Sequence, residues 1–206
     1  MTGNIIQQFA IMAPPFLLAI TFHEFCHGYV AWRFGDPTAH NEGRLTMNPL
    51  KHLDPLGVLA FFIIRIGWAK PVPVNAAYFR NPLRDMMWVS LAGPGSNLLL
   101  ALFSAILYKL LSLTSGLLPP FIIQPLGSMA YFSVWINLVL AFFNLIPVPP
   151  LDGSRIVTGF TSAKTALFLH KIEPYGFFII LLLFYLGIIP KLIFPITNLI
   201  LNLLIS

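Results

Sequence analysis

Apolar residues fill this chain in long unbroken runs, with polar positions gathered between them. Crossing the hydrocarbon core takes roughly 20 apolar residues in a helix. Four stretches meet or approach that length: about Ile5 to Trp32, Met86 to Leu111, Leu126 to Ile146, and the tail from Tyr175 onward. Between Leu110 and Leu151 there is not one charge. Such runs predict helices, because lipid offers a backbone N–H or C=O no partner outside its own segment. Pro14-Pro15 should mark a kink or a helix start. The tail is too long for one span and is interrupted by Pro190 and Pro195, so two short spans are expected there, rather than one span plus an interfacial helix.

The largest polar segment runs from about Arg33 to Asp85 and holds an apolar island, "PLGVLAFFIIRIGWA", too short to cross. A re-entrant or surface-lying segment is expected. In "WAKPVPVNAAYF", which follows, prolines alternate with valines, a pattern that disfavours helix and suits an extended edge or loop. The predicted class is an all-α integral membrane protein: a polytopic helix bundle of about 4–6 spans with a re-entrant or strand-like segment between spans one and two.

Composition agrees. Of 206 residues, 57% are hydrophobic and 9% charged, with mean hydropathy +0.82; a soluble domain carries about 25% charged residues. The net charge of +5 does not point to nucleic acid, because the basic residues are scattered and form no patch. Their placement fits topology instead. Arg33, Arg44, Lys51, Arg65, Lys70, Arg80 and Arg84 lie between spans one and two, and Arg155, Lys164 and Lys171 after span three. That is 7 + 3 = 10 of the 12 basic residues on one side, so spans one and three should end at the cytoplasmic face. The lone Cys26 excludes an internal disulfide framework. "MTGNIIQQFAIMAPPF" lacks a basic n-region and a small-residue cleavage site, and is expected to be retained.

The chemistry sits in "TFHEFCHGYV", where His23, Glu24 and His27 end an apolar run. On a helix, positions i and i+4 share a face, so two imidazoles can point at one metal ion. Glu24 lies about 100° round the helix, placed to take the proton of a metal-activated water and pass it to a leaving amine. Satisfied core histidines are the plain alternative, but three ionisable groups together inside an apolar span need a common purpose. A catalytic zinc takes a third protein ligand. Asp152, in "FFNLIPVPPLDGSRI", follows span three on the same predicted side as His27; alone it would read as an Asx turn or helix N-cap.

With "HEFCH" on the first helix and "NLIPVPPLDG" after the third, the chain resembles the site-2 protease family of intramembrane zinc metalloproteases. "GDPTAHNEGRLTMNPLKHLDPLG" resembles the compact branch that lacks a PDZ domain. The resemblance covers roughly residues 20 to 160. It implies one Zn2+ per chain held by His23, His27 and Asp152, with Glu24 catalytic. Asn144 matches a family asparagine thought to position the substrate or oxyanion. "GPGSN", Gly93 to Asn97, also resembles a family feature, and Asn97 is a lesser candidate for the same role; the small residues there allow close helix approach and Asn97 can bond across helices. His52 and Asp54 could orient a metal ligand or form a gate; capping the next helix is the plain alternative.

The implied function is a membrane-embedded endopeptidase cutting peptide bonds in or near transmembrane segments of membrane proteins. It would sit in the cell (inner) membrane with its site toward the cytoplasm, and "AKPVPVN" would help present substrate by strand addition. Residues 1–206 are expected to form a single transmembrane metalloprotease domain, with a core of about 5–160 and C-terminal helices over about 173–206. A metal transporter using the same histidines is the alternative, though it has no reason for Glu24 and no inverted repeat is visible. Oligomeric state is not legible.

Overall fold

The computed structural model describes residues 5–57, 68–114, 116, 119–161 and 163–206. Its helices are α1 (Ile5–Arg33), the short α2 (Thr38–Asn41), α3 (Pro82–Leu113), α4 (Pro120–Asn144), α5 (Asp152–Phe160), α6 (Ala163–Ile172), α7 (Gly176–Tyr185) and α8 (Ile188–Ile205). Five segments are long and apolar enough to cross a membrane: Gln7–Arg33, Pro82–Leu113, Pro120–Asn144, Lys164–Tyr185 and Ile188–Ile205. The chain is a multi-pass helical membrane protein. Pro14 and Pro15 lie inside α1 and do not start it.

Helices α1, α3 and α4 pack together as the centre of the bundle. Lipid is as apolar as leucine, so the helices are held by close packing and polar contacts. Their sequences supply both. On α3, Gly93, Asn97, Ala101, Ser104 and Ala105 form one buried stripe. On α4, Ala130, Ser133, Val134, Asn137 and Ala141 form its counterpart. The bulky residues turn outward: Leu99, Leu102, Phe103 and Ile106 are all exposed, as a lipid-facing surface requires.

The tail differs from expectation. The chain breaks at Gly187, in the left-handed region with φ 69°, whereas Pro195 lies inside α8 and Pro190 in its first turn. A proline in the first turn costs little, because the N–H it lacks has no helical partner there. Ile189 and Ile193 pack with Ile146, just past the end of α4, and Leu201 packs with Val134 and Ala105. Hence α8 runs antiparallel to α4 and finishes beside the end of α3, where Ile205 and Ser206 border Tyr108 and Lys109. At the other end, Gly159 of α5 abuts Met87 near the start of α3. Lys164–Tyr185 therefore leaves and rejoins the same face, despite having the length of a span. Single cysteines at Gly116 and Ser206, in a Cys26→Ala background, should react with an impermeant thiol reagent from one side of sealed vesicles, and one at Thr161 only from the other. Labelling of all three from one side would overturn this topology.

Between α1 and α3, most of the expected re-entrant island lies outside the described residues (58–67). The segment after it is extended but is not a strand; among the described residues its one ladder contact is the antiparallel bridge Leu53–Ala69. Pro71 and Pro73 lack the N–H groups a ladder needs. Three of its N–H groups are held singly: Lys70 N–H goes to the His52 carbonyl at 2.9 Å, Val72 N–H to Glu24 Oε2 at 2.8 Å and Asn75 N–H to Asp36 Oδ2 at 2.7 Å. Arg44 Nη2 donates to the carbonyls of Lys70 at 2.9 Å and Pro71 at 3.3 Å. Asp36 is fully buried and Arg44 nearly so. The polar segment is thus a set of staples that lays 70–75 along α1.

Candidate metal centre

His23 and His27, one turn apart on α1, turn their rings toward α3. His23 Nδ1–H donates to Asn97 Oδ1 at 2.6 Å, and His27 Nδ1–H donates to the Val89 carbonyl at 2.7 Å. Both Nε2 atoms then face inward as lone pairs, 2.9 Å apart. Asp152, the first residue of α5, completes the group: its Oδ2 lies 3.3 Å from each Nε2.

Three electron-pair donors so close together repel one another unless a cation sits among them. Zinc bonds of about 2.0–2.2 Å at tetrahedral angles set neighbouring donors about 3.3–3.6 Å apart, the spacing of Asp152 Oδ2 from each Nε2, while the two Nε2 atoms lie closer, at 2.9 Å. One carboxylate and two neutral imidazoles also match the donor chemistry of zinc. Among the described residues, His23, His27 and Asp152 are the group that can hold a metal ion, as the sequence suggested.

Two glycines permit this approach. A Cβ on Gly93 would lie 2.3 Å from His27 Nε2 and 2.6 Å from His23 Cε1, so the imidazoles rest on bare backbone of α3. A Cβ on Gly153 would lie 2.3 Å from the Leu145 carbonyl; lacking one, α5 folds back under α4 and brings Asp152 to the histidines.

The group lines a cavity of about 560 Å3, together with Glu24, Asn144 and Ser90. Val72, Val74 and Trp68 supply an apolar wall from the extended segment. Glu24 Oε2 accepts from Val72 N–H, so its carboxylate is held at the cavity by main chain. Asn144 Nδ2 donates to the Leu140 carbonyl at 3.0 Å while its side chain borders the cavity, a placement compatible with the substrate role that the resemblance implies. Ser90 Oγ is buried and has no hydrogen-bond partner among the described residues.

Several expectations are corrected. Asn97 does not face substrate: it is fully buried and bonded to His23, the Ala19 carbonyl and Asn137. His52 is not brought to the metal group. Its Nε2–H donates to the Thr46 carbonyl at 2.8 Å, and it is buried as one of the staples. Asp54 caps the turn that follows, accepting from the N–H groups of Leu56 and Gly57. Sequence reasoning missed the Val89 carbonyl, the Val72 N–H and Asn137. The first two are main-chain atoms that no residue type announces; an asparagine inside an uncharged apolar run could have been flagged.

The sequence profile of peptidase family M50 matches residues 122–187. Among curated proteins, YwhC of Bacillus subtilis (strain 168) is 41% identical over 185 residues, covering 88% of this chain and 83% of its own length. Rip2 of Mycolicibacterium smegmatis is 31% identical over 183 residues, covering 86% and 68%. Rip2 of Mycobacterium tuberculosis (strain H37Rv) is 31% identical over 182 residues, covering 85% and 67%. All three are provisionally named zinc metalloproteases. No solved structure matches the chain.

Proposed function

This chain belongs to peptidase family M50, and from that premise we propose that it is a membrane-embedded zinc endopeptidase cutting peptide bonds in or near transmembrane segments of other membrane proteins. The observation that carries the reading is the convergence of His23, His27 and Asp152, from α1 and α5, on one point beside Glu24. Bound there, zinc supplies Lewis acidity, lowering the pKa of a water and polarising a carbonyl. Nδ1–H bonds to Asn97 and Val89 hold both imidazoles with Nε2 inward. Glu24 takes the proton of the attacking water as its oxygen bonds to the carbonyl carbon. It returns that proton to the amide nitrogen as the C–N bond breaks. Among the described residues Glu24 Oε1 takes no hydrogen bond, so that oxygen is free for the proton while Oε2 stays anchored on Val72.

A transmembrane substrate arrives as a helix whose peptide groups are bonded internally, so it must unwind before it can be cut. The extended wall of residues 70–75 offers an edge for the unwound stretch to lie along, and Asn144 borders the place where its carbonyl would sit. The charge distribution supports a cell-membrane location with the site toward the cytoplasm. On this reading residues 1–206 act as one catalytic domain with a core over about 5–160.

The test is zinc content and cleavage together. Detergent-purified protein should hold one zinc per chain, and His27→Ala and Asp152→Ala should each lose most of it. In proteoliposomes the wild type should cut single-span test proteins, with fragment masses placing the cut at or inside the apolar segment. Cuts confined to soluble loops would remove the intramembrane part of the proposal. A folded wild type without zinc would remove all of it.

A further inference from the structure

Beyond the residues that touch metal or substrate, a chain of side-chain hydrogen bonds leads from His23 into the middle of the bundle. Asn97 Oδ1 accepts from His23 Nδ1 at 2.6 Å. Asn97 Nδ2 donates to the Ala19 carbonyl at 3.2 Å and to Asn137 Oδ1 at 2.8 Å. Asn137 Nδ2 donates to the Ser133 carbonyl at 2.8 Å and to Ser133 Oγ at 3.3 Å, and Ser133 Oγ meets Ser104 Oγ at 2.8 Å. Asn97 and Asn137 are both fully buried, so none of these groups can fall back on water.

From His23 to Ser133 the bonds of this chain point one way, and two main-chain carbonyls fix the direction. The Ser133 carbonyl can only accept, so Asn137 must present Nδ2 to it and Oδ1 to Asn97. The Ala19 carbonyl can only accept, and Asn137 Oδ1 now also accepts, so both Nδ2 hydrogens of Asn97 are spent. Asn97 can therefore offer His23 nothing but Oδ1. His23 Nδ1 must carry the proton, and its Nε2 is left bare toward His27 and Asp152. We propose that Asn137, on α4 and out of contact with the metal group, is a positioning residue for the zinc site, setting the tautomer and orientation of His23 through Asn97. His27 has a separate arrangement, because its Nδ1 is held by the Val89 carbonyl.

Without Asn137, Asn97 loses the acceptor that holds its amide. The amide can then rotate and offer Nδ2 to His23, which favours the tautomer with its proton on Nε2, the wrong nitrogen for the metal. Outer partners of metal-bound histidines commonly matter by about 10- to 100-fold in metal affinity. The inference rests on His23 being a zinc ligand, and its test separates the two ideas. Zinc affinity of purified Asn137→Leu is measured by chelator competition against wild type, and the ring nitrogens of 15N-histidine protein are followed by NMR. The expected result is a fall in affinity of about 10-fold or more, with altered His23 signals and unchanged His27 signals. Should Asn137→Leu fail to fold, Asn137→Ala, which leaves space rather than filling it, carries the same test. Affinity within twofold of wild type, or His23 and His27 signals moving alike, overturns the positioning role. A wild type that binds no zinc overturns the reading of the site itself.

Discussion

Glu24→Gln should abolish peptide hydrolysis, by about 10²- to 10⁴-fold or more, and leave the zinc content of the protein unchanged. The two halves of that result come from different atoms. Glutamine keeps the length and shape of glutamate, and its amide oxygen can still accept from Val72 N–H as Oε2 does now at 2.8 Å. The extended segment therefore stays pinned along α1. The three donors that can hold a metal, on His23, His27 and Asp152, are untouched. What disappears is the carboxylate proposed to take a proton from water and return it to a leaving nitrogen. A metal transporter built on the same histidines would lose nothing comparable, so metal uptake and proteolysis measured side by side on this variant decide between the two readings. Near-normal cleavage would remove Glu24 from the chemistry. Loss of zinc would mean that the carboxylate helps to hold the metal, and the division of roles between Glu24 and the three ligands would be wrong.

How much of this was legible in the sequence depends on which atoms carry the information. The candidate metal group was legible because it is made of side chains whose types are expensive in lipid. Two histidines four apart fix a helix face, and an aspartate that ends a long uncharged run asks for a partner. The spans were legible for the same reason in reverse: a run of apolar residues in a membrane has few structures open to it. The tail was harder. Its prolines suggested the breaks, but a proline in a first turn costs little, and the actual break falls at Gly187. Nor could hydropathy show that α8 runs antiparallel to α4, since that follows from which of its residues meet which of α4.

The polar stretch after α1 was legible in chemistry but not in role. His52 and Asp54 carry metal-ligand side chains, yet those side chains bond main chain close in sequence, the Thr46 carbonyl and the N–H groups of Leu56 and Gly57. Asp36, Arg44 and His52 supply the partners that a neighbouring strand would otherwise give. Single-residue chemistry cannot distinguish a ligand from a staple, because both are polar groups that are buried and bonded. Only the position of the third partner does so. For Asp152 that partner is a pair of imidazoles from another helix. For Asp54 it is the next turn of its own chain.

Gly93→Ala should abolish zinc binding and hydrolysis, although alanine is the better helix former. Replacing glycine by alanine inside a helix ordinarily stabilises by up to about 1 kcal/mol, so propensity acts against the expected loss. Space decides instead. The new Cβ would lie 2.3 Å from His27 Nε2, 2.5 Å from His27 Cε1 and 2.6 Å from His23 Cε1. These are not the far ends of flexible side chains, because both rings are tethered at Nδ1, to Asn97 and to the Val89 carbonyl. Either the rings rotate and give up those bonds, or α3 backs away from α1 and stretches the bonds from Asn97 to His23 and to the Ala19 carbonyl. Both routes move the Nε2 atoms out of reach of Asp152. Gly95→Ala is the matched comparison: it lies two residues on in the same helix, and its added Cβ would meet nothing within 4 Å. That variant should keep its zinc and its activity. Metal content and thermal unfolding of the two proteins, measured together, separate a crowded site from a weakened helix. If Gly93→Ala binds zinc as well as Gly95→Ala does, the imidazoles do not rest on the bare backbone of α3, and the role of glycine in the "GPGSN" stretch as the floor of the metal site fails with them.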